Sequence, residues 1–364
     1  MMKKIFYLLL LIFILNLNLI TAHAAPSNTK TVKSKVIKII STPETCTDLS
    51  DEKNIISESQ IIQVKILEGN HKNEILQLQS GEFILDLGDI VNLCIGEENG
   101  TITSANVYQF VRTKFTLYII IFFAIIMLLV GGLKGLKSII TLGFTAYSVL
   151  FVLPKLIIKG YNPILLTIAL ASLITILTLT IVNGFNSKSY AAILGTIGGV
   201  IISGLISVFM GNILKFSGLA GEQQRALMYI PKTSHINFSQ LLYAGILLGA
   251  LGAVMDVCTS ISSVIHEIKL SNKNANSWFL FKSGMSVGKD IIGTMSNTLI
   301  LAYAGASMSV IITFMAYDSN LAEILNQEVI SVEIIRSLAG SIGLILSVPL
   351  TAFIASSVAK KPRT

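Results

Sequence analysis

The chain has 364 residues, of which 52% are hydrophobic and 13% charged, with a mean hydropathy of +0.74. A soluble domain carries about 25% charged residues, so an ordinary cytosolic protein is excluded. The net charge of +7 is no nucleic-acid footprint. Residues 1–114 carry 11 Lys/Arg against 12 Asp/Glu and residues 115–364 carry 16 against 8, so the excess lies wholly in the apolar part, where Lys and Arg report loop topology.

Met1 to Lys4 form a short basic region, Ile5 to Ile20 an apolar stretch, and Ala22-His23-Ala24 an A-x-A cleavage site. Residues 1–24 therefore read as a signal peptide, with an uncleaved anchor helix as the alternative. Either reading places the next segment outside the cytoplasm.

Residues 25–114 are polar and nearly balanced in sign. Ile62-Gln63-Val64-Lys65-Ile66 alternates as a half-buried strand does, and further short apolar runs lie at Ile75–Gln79, Phe83–Leu87, Ile90–Ile95 and Ala105–Val111. That rhythm predicts a small β-rich, OB-like module, with residues 25–58 as a tether or irregular edge. Cys46 and Cys94 could pair there or remain separate thiols.

Seven apolar stretches follow, near Phe115–Gly131, Ser138–Ile158, Ile164–Val182, Tyr190–Leu214, Gln240–Ser262, Ile291–Met315 and Ser337–Val358. Each approaches the ~20 residues that cross a hydrocarbon core, which predicts an α-helical polytopic membrane domain over 115–364. The second stretch contains Pro154 and is expected to bend or end there. With residues 25–114 outside, the cytoplasmic loops and tail collect ten basic residues (Lys134, Lys137, Lys188, Lys269, Lys273, Lys282, Lys289, Lys360, Lys361, Arg363) against Glu267 and Asp290. The outer loops and helix ends are nearly balanced, so loop charge and signal segment agree. The C-terminus is then cytoplasmic, in a multi-pass protein of the cell membrane.

The fifth stretch holds the acid that lies deep in a span. Counting by three and four from Asp256 places Gly249, Gly252 and Ser260 on its face, and a carboxylate there is expected to meet a partner helix or a wet cavity, not lipid. The sixth supplies Asp290, Gly293, Thr294, Asn297 and Thr298. Antiparallel packing of the two would bring Asp256 and Asn297 to one depth, each ~10 Å from the cytoplasmic end of its stretch. Gly249, Gly252, Gly293 and Gly305 are expected to let neighbouring helices approach. The polar residues would bind or relay an ion or small solute, or else lock two helices by a hydrogen bond. Gly195-Thr196 and Gly293-Thr294 hint at an internal repeat, for which small-residue packing is the plainer account. Trp278 and Phe279 beside Lys282 suit an interfacial anchor.

GALGAVMDV (Gly249–Val257), GKDIIGTMSNTLILAYAG (Gly288–Gly305), GLKGLKSIITL (Gly132–Leu142) and NGFNSKSYAAILGTIGG (Asn183–Gly199) resemble the YibE/YibF-like family of multi-pass bacterial membrane proteins, over essentially residues 112–315. The resemblance implies a membrane protein with an extracytoplasmic N-terminal module, assumed to be a permease; it assigns no reaction and no catalytic residue.

Two function classes remain from the residues: a permease of a small solute or ion, and a non-transporting scaffold or sensor whose outer module binds a partner. An enzyme is not expected. Intramembrane aspartyl proteolysis needs two carboxylates at one site, Asp290 sits at a helix edge, and none of the predicted stretches contains His. No cofactor or metal is called for. The expected partners are the bilayer, a small solute or ion, and a second copy or another protein through the outer module.

Overall fold

The computed structural model describes residues 29–41, 60–80, 84–98, 101–231, 235–317 and 320–359. The predicted signal peptide, Cys46 and the basic residues Lys360, Lys361 and Arg363 lie outside the described residues. The chain divides into two compact units, 1–123 and 124–364. The expected boundary at 114/115 falls at the start of the first long helix.

The N-terminal unit holds five strands, β1 (Thr29–Ser41), β2 (Gln60–Ile66), β3 (Ile75–Ser80), β4 (Ile90–Glu98) and β5 (Thr101–Phe110), in one antiparallel sheet of order β3-β2-β1-β4-β5. The sheet curls until its outer strands β3 and β5 approach one another. Ile62, Val64 and Ile66 of β2 pack inside with Val36, Leu78, Leu85, Val91, Leu93 and Ile95. Buried Gln60 closes this core: its side chain donates to Leu85 O and accepts from Leu85 N, both at 2.9 Å.

Two expectations for the module need correction. A long strand, β1, comes from the stretch read as a tether, and Ile84–Leu87 form no strand. The inward positions of β1 include Ser34, and a register shift between Val36 and Lys38 breaks the alternation. A period-two reading therefore finds no continuous apolar face there.

The remainder of the described chain is helical: α1 (Thr113–Tyr147), a π-helical turn (Ser148–Val152), α2 (Leu153–Ile158), α3 (Pro163–Asn183), α4 (Ser187–Ile213), α5 (Glu222–Leu227), α6 (Phe238–Ser271), α7 (Ser277–Ala306), α8 (Met308–Ala316), α9 (Leu321–Asn326) and α10 (Glu328–Val358). Among the described residues five helices are long and apolar enough to cross a membrane, the first running Thr113–Ile158. The count is six if α7 and α8, bent by 56° at Ser307, form one broken span. The count differs from the expected seven because the first two expected helices form one run, Thr113–Ile158, that is kinked at Gly132.

Gly132 interrupts that continuity, with φ 53° and ψ −133°, a conformation only glycine adopts without strain. A Cβ on Gly135 would overlap the Met127 carbonyl oxygen and stand 3.6 Å from Leu128 Cα. Eight residues of straight helix separate such groups by ~12 Å, so α1 turns sharply here. Further on, the π-helical turn absorbs the approach to Pro154, which then sits in the first turn of α2, where a missing N–H costs nothing.

The helical core is a seam of small residues. Gly195, Gly199, Ser203 and Ser207 recur every fourth residue on α4, and Gly343, Ser347 and Thr351 do so on α10. A Cβ on Gly199 would come within 2.7 Å of Ser347 Cβ and of Val254 Cγ1, and a Cβ on Gly343 would come within 2.7 Å of Gly199 O and of Ser203 Cβ. Gly195 lies against Thr351, so α4 and α10 run antiparallel. The hydroxyls enter this dry seam because several bond to their own helix, Thr196 to Ala192 O, Ser207 to Ser203 O and Ser347 to Leu344 O. Buried, free Cys258 of α6 adjoins the same seam, a small apolar filler as expected.

Candidate functional site

α6 packs antiparallel to α4, with Leu247 on Gly204 and Tyr243 on Gly211. Its other neighbour, α7, also runs antiparallel: Tyr303 covers Gly249, Ile265 covers Gly284, and Ile261 lies 3.4 Å from a Cβ on Gly288. Interpolating between these contacts puts Asp256 level with Gly293 to Ser296, so Thr294 shares its depth and Asn297 lies within about one helical turn of it. The helix ends on this side lie farther off than the apolar runs suggest. α6 extends to Ser271 and α7 begins at Ser277. Asp256 is near the middle of its helix, ~23 Å from Ser271, and Asn297 is ~30 Å from Ser277. The longer α6 also takes in His266 near its end.

The buried stripe of α6 is Val254, Val257, Cys258, Ile261 and Ile265. The outward stripe is Gly245, Gly249, Gly252, Asp256 and Ser260, all exposed. On α7 the exposed positions include Asp290, Gly293, Thr294, Asn297 and Thr298. The two polar stripes lie at matching depth and both open outward. Asp256 makes no hydrogen bond or ion pair with any described residue. Thr294 and Thr298 donate to Ile291 O and Thr294 O of their own helix. Ser296 Oγ, buried in the same turn as Asn297, has no partner among the described residues.

The four glycines expected at helix contacts divide. Gly249 is capped by the Tyr303 hydroxyl, whereas a Cβ on Gly252, Gly293 or Gly305 would meet nothing within 4 Å. Gly195 sits in the tightest seam while Gly293 is open, so the two Gly-Thr pairs have different surroundings. Cavities occur elsewhere. One of about 580 Å³ is lined by Asn276, Trp278, Phe281 and Phe353; here the Trp278 and Phe281 rings stack and Lys282 Nζ lies 5.5 Å from the Trp278 centroid.

This arrangement is chemically costly in a bilayer. A carboxylate at mid-helix costs about 3 kcal/mol on insertion scales, and Asp256 has no compensating partner among the described residues. It can hold a proton or a small cation, or accept hydrogen bonds from a neighbouring surface.

A sequence model of one protein family matches residues 119–361. The chain belongs to the YibE/F-like protein family. No curated protein and no solved structure matches it significantly. The family match covers all of α6, α7 and α10 and therefore the whole Asp256 face. For a YibE/F-like chain the residues themselves must supply the function.

Sequence reasoning missed one polar cluster in the family-matched region. Arg336 donates to Glu333 Oε1 at 2.6 Å, and its guanidinium carbon lies 5.8 Å from the Tyr303 ring centroid. The apolar stretch expected from Ser337 leaves Glu333 and Arg336 outside it, but α10 begins at Glu328, which puts both inside the helix. Their i,i+3 spacing was the available signal. Glu328 is also structural: its carboxylate accepts from Ser217 N, Ser217 Oγ and Gly218 N at 2.7–3.2 Å.

Proposed function

We propose that this YibE/F-like protein is a polytopic membrane permease for a small solute or ion, with Asp256 as the residue that binds or relays the transported species. The observation that carries the reading is the outward stripe of Asp256, Ser260, Thr294 and Asn297 at the middle of two long apolar helices. Intramembrane acids mark ion and substrate pathways as a rule. In the same reading residues 1–24 are a signal peptide, the module is extracytoplasmic and OB-like, and the C-terminus is cytoplasmic. The chain acts as a carrier, not as an enzyme. Seven spans are supported by Gly132: a continuous 46-residue helix would be ~69 Å long, over twice a hydrocarbon core, and the break divides it into two crossings.

The test is Asp256→Asn in proteoliposomes loaded with a pH-reporting dye, and with radiolabelled monovalent cations, across a pH series. At least a tenfold loss of flux, with loss of its pH dependence, is expected. Flux equal to wild type at every pH refutes the role of Asp256.

A second reading, a non-transporting scaffold or sensor, is favoured by the module: edge strand β5 has no fully buried residue, and Tyr108 on it is exposed. A stoichiometric partner retained by the outer segment, with no flux, would select it.

A further inference from the structure

The outer surface of the membrane domain is chemically divided. Leu165 and Leu173 of α3, Leu205 and Phe209 of α4 and Phe353 of α10 are exposed apolar residues, suited to lipid tails. The α6/α7 face differs in three ways. It carries a carboxylate and an amide within about one helical turn of each other in depth, it has a floor of bare backbone at Gly245, Gly252 and Gly293 where a Cβ would touch nothing, and neither Asp256 nor Asn297 has a hydrogen-bond partner among the described residues. Lipid tails satisfy none of these groups.

We infer that this face is the interface with a second copy of the chain, related by a two-fold axis along the membrane normal. Copies inserted in one orientation keep equal depths, and in a two-fold contact residue i of one copy meets j of the other while j meets i. The face is self-complementary under that operation. Asp256 on α6 offers carboxylate acceptors beside the Ser260 hydroxyl, and the α7 stripe offers the Asn297 amide donors within about one helical turn of that level. Asp256 of one copy thus accepts from Asn297 of the partner subunit, twice over. Gly252 and Gly293 let the helices approach to backbone contact, as small residues do in membrane interfaces. A heterologous protein would have to supply the donor at that depth, which the chain already carries. The inference holds whether or not the chain transports; if it does, Asp256 faces a site completed by the partner.

The test uses the full chain in nanodiscs and native membranes. Single-molecule photobleaching of the wild type should show two steps. With Cys46, Cys94 and Cys258 replaced, Gly252→Cys and Gly293→Cys should each form an oxidative dimer at least tenfold more efficiently than Phe209→Cys on the lipid side of α4. Asn297→Asp, which sets carboxylate against carboxylate, should reduce the dimer fraction at least tenfold, and adding Asp256→Asn should restore it with the cross-links at 252 and 293. One-step bleaching, equal cross-linking at 209, cross-linking to a different protein, or a swap that restores stability but leaves a monomer each overturns the inference. Uptake is not among these readouts, so failure of the permease reading is distinguishable from failure of the dimer.

Discussion

Replacing Gly199 by Ala puts one methyl group where α4, α6 and α10 meet. Its Cβ would stand 2.7 Å from Ser347 Cβ, 2.7 Å from Val254 Cγ1 and 3.1 Å from Gly343 O. Ordinary carbon contacts are ~3.5–4.0 Å, so two helices must each retreat by about 1 Å, and the third contact is backbone with no rotamer to give. Overpacking of this kind costs ~1–3 kcal/mol, and the three-sided clamp puts Gly199→Ala at the upper end, about 3 kcal/mol. Gly143 is the control: a Cβ there meets nothing within 4 Å, and Gly→Ala in an exposed helix gains up to ~1 kcal/mol in propensity. The same propensity gain applies at Gly199, so the two variants should differ by about 3 kcal/mol, with the melting temperature of Gly199→Ala in detergent roughly 6–12 °C below that of Gly143→Ala. Fluorescence-detected gel filtration after heating reads this directly. A Gly199→Ala protein as stable as Gly143→Ala would refute the seam.

Three further outcomes follow from single contacts. Gln60→Leu leaves the Leu85 N–H and carbonyl buried without partners and should destabilise the module by about 2–4 kcal/mol, seen as faster proteolysis within the outer segment while the helical unit stays intact. Arg336→Ala strands the Glu333 carboxylate and should cost about 3–5 kcal/mol; adding Glu333→Gln should recover more than half of the lost thermal stability, and no recovery would mean that the ion pair is incidental. Glu328→Gln weakens three hydrogen bonds to Ser217 and Gly218 and should speed proteolytic cutting between Leu219 and Ile230, with an unchanged rate showing that the tie is not what holds that connection.

The periodicity of β2 and the apolar runs of the long helices were legible because burial selects for them directly. β1 was not, because Ser34 faces inward and a register shift resets the alternation. Helix ends were legible only where lipid stops and turn residues begin. α6 and α7 run on beyond the apolar stretches as amphipathic helices, Ile265–Ser271 and Ser277–Asp290, and hydropathy alone does not register such extensions. Asp256 stood out as a carboxylate in a charge-poor domain. Its outward orientation did not, since spacing says which residues share a face and not what lies opposite. The glycines beside it matched the small-residue pattern of a packed seam, whereas the residues packed inside on α6 are Val254, Cys258 and Ile261.

Two kinds of glycine therefore carry the architecture. Those of α4 and α10 are clamped: Gly195, Gly199 and Gly343 draw the helices into close contact and fix the bundle. Because that seam holds the domain, α6 can leave its opposite stripe unfilled, and Gly252 and Gly293 stand open beside an unpaired carboxylate. The division has a consequence that separates stability from assembly. Gly199→Ala should lower the melting temperature of the monomer in detergent while any dimer that survives keeps its cross-links. Gly252→Leu should leave that melting temperature within about 2 °C, since nothing lies within 4 Å of its Cβ, yet abolish the two-step bleaching in nanodiscs. A Gly252→Leu protein that unfolds early instead would mean that the open stripe is covered within the chain itself.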